Sequence, residues 1–177
     1  MRLVLVAALA VLPFAALAAG SDETEPPAPT ETTTKCKDAM VWDEKTKACI
    51  KPEDSALNND TRFRAVREMA FAGRPEDALV VLATMTEGET DRVLTYMGFA
   101  NRKAGRPEIG MDLYAHALDV NPDNVLARSY LGQMLVEMGD IAAARRQLDE
   151  IRNRGGAGTW AEASLAQAVG SGQTLSY

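Results

Sequence analysis

Hydrophobic and polar residues fall into distinct regimes along the chain. Leu3–Leu12 is an uninterrupted apolar run of ten residues, whereas residues 19–34 are rich in Pro, Thr, Glu and Ala. Two short extended patterns follow. Met40-Val41-Trp42 predicts a strand, Asp43–Lys47 a polar turn, and Ala48-Cys49-Ile50 a returning strand. Lys51–Asn58 reads as a polar linker. From Asn59 onward the apolar residues recur with a helical period, and glycine-centred turns cut the pattern into pairs of helices. A last amphipathic helix is predicted over 159–169, with Trp160, Ala163, Leu165 and Ala168 on or near one face. Residues 170–177 form a flexible tail.

The helical pairs repeat. Gly98 is followed by Gly132, and Gly105 by Gly139, each 34 residues on. A period of this size marks stacked helical hairpins, and a plain bundle would not need both glycines in one register. The clearest copy is 91–124, with Leu94, Met97-Gly98, Gly105, Gly110, Tyr114, Ala117 and Pro122 as landmarks. Gly98 inside a helix costs about 1 kcal/mol against Ala, which is tolerable where the second helix approaches closely with Gly110 and Ala117. Gly105 suits the left-handed end of the first helix. Pro107 and Glu108 suit the start of the second. Asn121-Pro122-Asp123-Asn124 stops that helix and caps the next.

These landmarks resemble the tetratricopeptide repeat, in an exported bacterial protein. The copy at 125–158 carries Gly132, Gly139, Asp140, Ala144, Leu148 and Ile151, but ends in Gly155-Gly156-Ala157-Gly158 instead of Pro. The copy at 59–90 is fainter. Its Gly73-Arg74-Pro75-Glu76 lies 32 residues before the matching Gly105-Arg106-Pro107-Glu108, and Arg62 and Val66 replace the usual tryptophan and glycine. The resemblance implies an all-α fold, a right-handed superhelical array of about three hairpins over 59–158. The helix over 159–169 caps its end.

Ahead of the array, residues 1–18 read as a secretory signal peptide, with Arg2, the apolar run and Ala16-Leu17-Ala18 as a cleavage site. Residues 19–34 read as a disordered acidic tether, too poor in apolar surface to offset its ordering entropy. Residues 35–51 form a small module around Cys36 and Cys49, the only cysteines. In an exported protein these two predict a disulfide. Metal binding lacks further ligands, since the only histidine, His116, is distant, and Cys-x-x-Cys redox spacing is absent. The module resembles short Cys-bounded hairpins of exported bacterial proteins. Trp42 either covers the disulfide or, with the nearby lysines, contacts cell wall or a partner.

Composition narrows the function. A net charge of −6 argues against nucleic-acid binding, and aromatics at 6% favour helices over a β-sandwich. No catalytic, nucleotide, cofactor or metal motif is present, and the glycine run at 155–158 lacks the strand and Lys-Ser/Thr ending of a phosphate loop. The resemblance instead implies a non-enzymatic module that holds a protein or peptide segment in the concave groove of its first helices. Carried onto this chain, that groove is lined by Phe63, Arg64, Arg67 and Phe71, then Thr95, Tyr96, Phe99, Arg102 and Lys103, then Ser129, Tyr130 and Gln133. Arg64, Arg67, Arg102 and Lys103 would form a positive strip suited to carboxylates; the alternative is that Phe63 and Tyr130 are packing residues and the cations are merely solvated. The expected setting is the periplasm, or a secreted or envelope-associated location, with the membrane met only during export. The alternative is a wall-associated structural protein attached through the Cys36–Cys49 module.

Overall fold

The computed structural model describes residues 25–174, so the signal-peptide reading of 1–18 lies outside the described residues. Helix α1 spans Glu31–Thr34, strands β1 and β2 span Val41–Asp43 and Ala48–Ile50, and seven longer helices follow. They pair as α2 (Asn59–Phe71) with α3 (Pro75–Leu82), α4 (Asp91–Lys103) with α5 (Pro107–Val120), and α6 (Val125–Glu137) with α7 (Ile141–Asn153). The last helix, α8 (Trp160–Ser171), packs on both α6 and α7. It runs two residues past the predicted end.

Local chemistry sets these boundaries. Asn58, Asn124, Asp140 and Thr159 cap α2, α6, α7 and α8, each side chain accepting a backbone N–H of the first turn. Pro75 and Pro107 open α3 and α5, where a missing N–H costs nothing. Each hairpin turns the same way. Gly105 takes φ +79°, letting Arg106 N–H reach back to the Asn101 carbonyl at 2.9 Å, and the same bond recurs from Arg74 to Met69 and from Asp140 to Leu135.

The helices of the middle repeat meet backbone to backbone. A Cβ on Gly98 would lie 2.7 Å from the buried Tyr114 ring and 3.2 Å from the Gly110 carbonyl, as the repeat pattern anticipates. Gly132 differs, because its space is taken by Leu165 of α8, at 2.6 Å, and not by α7. The buried stripe of α8 is Ala161, Ser164, Leu165 and Ala168. Ala163, expected on that stripe, is exposed, one residue out of phase with it.

The cysteine module is part of the array. Cys36 and Cys49 are bonded, and β1 and β2 pair antiparallel with Val41 opposite Ile50 and Trp42 opposite Cys49. Ala39 and Val41 are buried in one cluster with Phe63, Ala65 and Met69, so the hairpin closes the open end of the first repeat. Arg62, standing where tryptophan is usual, donates to the carbonyls of Pro52 (2.7 Å) and Asp54 (2.9 Å) and anchors the linker. Trp42 is half-buried beneath the Lys35 ammonium, 4.8 Å from its ring centre.

The tether expected over 19–34 needs correction at its described end. Residues 30–34 make a turn of helix whose N–H and hydroxyl groups bind the Glu68 carboxylate on α2. Composition makes this stretch poor at burying surface. Polar bonds to a buried carboxylate order it nonetheless.

Candidate functional site

The residues carried onto the concave groove do come together, but mainly as core. Phe63, Tyr96, Phe99 and Tyr130 are at most 2% exposed. Their rings form a continuous path through successive first helices. Phe71 stacks on Phe99 (5.2 Å between centres), Phe99 meets Tyr130 (4.6 Å), and Tyr130 meets Trp160 of α8 (6.3 Å). Phe63 adds an edge-on contact with Tyr96 at 5.3 Å. Thr95, Ser129 and Gln133 are buried too, with the Gln133 amide donating to Ser129 (3.3 Å) and Ser164 (3.1 Å). Rings this large bridge neighbouring first helices and are buried in the core between them.

The positive strip is likewise consumed. Arg67 donates to the Tyr96 hydroxyl (3.2 Å) and to the Glu25 carbonyl (2.5 Å). Arg102 makes a two-pronged bond to Glu137 (2.8 and 2.5 Å) and reaches the Tyr130 carbonyl. Lys103 is half-buried with its ammonium 5.7 Å above the Phe99 ring. Burial lowers its pKa, and the neighbouring Arg102 adds to that. Arg64 alone of the four is exposed, beside Trp42 and Glu44. Among the described residues, Arg67 and Arg102 are thus engaged within the fold, Lys103 lies over Phe99, and Arg64 is the one exposed member of the strip.

Arg102 explains why Glu137 stays charged. Burial pushes the Glu137 carboxyl up, but the Arg102 hydrogen bonds and charge, with the Thr174 hydroxyl and Lys103, outweigh it and hold its pKa below the usual range. A depressed carboxyl contributes stability above its unfolded value, near 4.3, and loses it as pH falls through the folded value. Glu137→Gln is therefore expected to cost about 1–2 kcal/mol at pH 7, discounted for a carboxylate side chain that is 41% exposed. Urea melts from pH 7 to 3 check this. The wild-type advantage should vanish at the acid end.

The open concavity lies at the mouth, where α4 and α6 begin. A cavity of about 290 Å³ is floored by Phe63, Tyr96 and Leu126 and rimmed by Asp91, Arg92, Asn121, Asp123 and Asn124. The rim is preorganised. Asp91 Oδ2 accepts from Asn121 Nδ2 (2.6 Å) and Asn124 Nδ2 (3.0 Å), and Asn124 also donates to Thr95 Oγ1 (3.1 Å). Arg92 grips Glu87 with two nitrogens, reaches Asp60, and stacks 4.7 Å over Phe63. Asn124 thus spends both amide hydrogens within the rim. Asn121 spends one, and Asp91 leaves Oδ1 unused among the described residues. One donor and one acceptor beside an apolar floor can bracket the C=O and N–H of a single peptide unit.

Thr95 and Tyr96, expected in the concave groove, line this mouth, whereas Asp91, Arg92 and Asn121 are not among the site residues that the sequence suggests. The signal was present. Asp91 opens a 34-residue repeat and Asn121–Asn124 closes it, and the hairpin geometry brings those two ends together. His116 sits apart, exposed on α5 and 4.0 Å from Glu89. Among the described residues, no group of three or more His, Cys, Asp and Glu is placed to hold a metal ion.

Comparison with known proteins gives one positive finding. Residues 102–168, from the end of α4 into α8, match the family model described as tetratricopeptide repeat. No curated protein and no solved structure matches the chain.

Proposed function

We propose, from the premise that this is a tetratricopeptide-repeat protein and hence a protein–protein interaction module, that it docks an extended segment of a partner protein at the mouth of its concave face. The observation that carries the reading is the spare donor of Asn121 and the spare acceptor of Asp91 above the Phe63–Tyr96–Leu126 floor. Binding is non-enzymatic. It places one apolar side chain on the floor and one peptide unit on the rim. The setting is the bacterial envelope, most simply the periplasm. The apolar run Leu3–Leu12 and the Cys36–Cys49 bond support this, since such bonds persist in oxidising compartments. Attachment to cell wall through the cysteine module is set aside, because Ala39 and Val41 face the array.

Site-specific photocrosslinking in envelope extract tests the proposal. A crosslinker at Val125, on the mouth, is expected to capture a discrete partner, while one at Val80, which is 51% exposed on α3, captures none. Asn121→Ala is expected to weaken the captured complex by about tenfold, the worth of one hydrogen bond at a partly buried site. Equal capture from both positions would remove the mouth as the docking face.

A further inference from the structure

Residues 25–34 act as a strap along α2. Arg67 donates to the Glu25 carbonyl, and Glu68, only 5% exposed, accepts four hydrogen bonds. They come from the Thr30 N–H (2.6 Å) and hydroxyl (2.7 Å) and from the Thr33 N–H (3.1 Å) and hydroxyl (2.5 Å). A buried carboxylate requires such donors. Here a segment more than 30 residues away in sequence supplies them.

The strap is bonded well and buries Thr32, but its first half is open to solvent. Pro26, Ala28, Pro29 and Thr30 are exposed. A cavity of about 200 Å³ lies on one side, against Phe71 and Ala72, and one of about 270 Å³ on the other, against Trp42 and Arg64. A segment flanked by open surface clefts makes fewer dispersion contacts on those sides. Surface segments held mainly by polar bonds are drawn from the low-stability end of a structure. When the strap lifts, Glu68 and Arg67 are left needing the same partners.

We propose that this face of α2 is a receptor for Pro/Thr-rich segments that end in a helical turn, that residues 25–34 are its resident occupant, and that a partner segment of the same chemistry replaces them. The recognised pattern is a backbone carbonyl for Arg67 and, five residues on, an N–H and hydroxyl pair for Glu68. The inference rests on the array being a segment-binding module. It uses residues apart from the mouth.

The test needs no unknown ligand. A fluorescein-labelled peptide of residues 25–35 is titrated with the full chain carrying Thr30→Pro and Thr33→Val, which removes three of the four donors to Glu68. This chain is expected to bind the peptide at least about tenfold tighter than wild type, and adding Glu68→Gln should reverse the gain. Equal binding by both chains, or indifference to Glu68→Gln, overturns the proposal. So does a wild-type dimer that forms with concentration and is abolished by Thr30→Pro/Thr33→Val, which would assign the face to a second copy's strap. If the double variant loses helical content, the full chain carrying Thr33→Val alone, which removes a single donor, carries the same titration. Asn121→Ala should leave the titration unchanged, so failure here is distinguishable from failure at the mouth.

Discussion

Phe99→Ala is expected to lower the free energy of unfolding by about 3–5 kcal/mol. Phe99 is fully buried and touches Phe71, Tyr96 and Tyr130, which belong to three consecutive first helices. Truncation therefore opens a cavity where all three repeats meet, and large neighbouring rings collapse poorly into it. With about 2–4 °C lost per kcal/mol at this size, the melting temperature should fall by about 6–20 °C. Lys103→Ala, which removes only the cation above the same ring, should shift it by a few degrees at most. Thermal and urea unfolding decide the matter. An unchanged melting temperature with lost partner capture would mean that the concave face is an open binding surface, contrary to the packing described.

The second large effect belongs to the cysteine pair. Cys36→Ser/Cys49→Ser is expected to cost about 3 kcal/mol, the chain-entropy value for a loop of this length, the two positions being 13 apart in sequence. A two-stranded hairpin is marginal alone, so its loss should also release Ala39 and Val41 from the end of the first repeat. In a linear array, stability passes from neighbour to neighbour. Hydrogen exchange in the variant should show α2 losing protection before α6. Equal protection of both helices, with a melting temperature within a degree or two of wild type, would mean that the bond holds nothing but its own loop.

Much of the fold was legible because its determinants are local. Gly73, Gly105 and Gly139 end helices through their own backbone, and Pro75 and Pro107 start them. The strands around Cys36 and Cys49 lay within one residue of the expected limits. The concave face was less legible. Sequence tells which side of a helix Tyr96 and Phe99 occupy, but not that the rings of adjacent repeats reach one another and are buried together. Nor does local pattern reveal that Arg102 has a partner 35 residues away in Glu137. The strap was illegible for a similar reason. Its ordering comes from Glu68, and its own composition says nothing of a distant carboxylate.

The occupant of Gly132 bears on how such a protein can change in length. At Gly98 the space beside the glycine is taken by the same hairpin, whereas at Gly132 Leu165 of α8 takes it. Helix α8 packs on both α6 and α7, as the opening helix of a further repeat would, and Gly155 and Gly158, both left-handed, turn the chain into it. The other end is sealed by a covalent hairpin and a strap. The array is directional in its capacity to grow: duplication of a hairpin fits between Gly158 and Thr159 and meets a barrier ahead of Asn59.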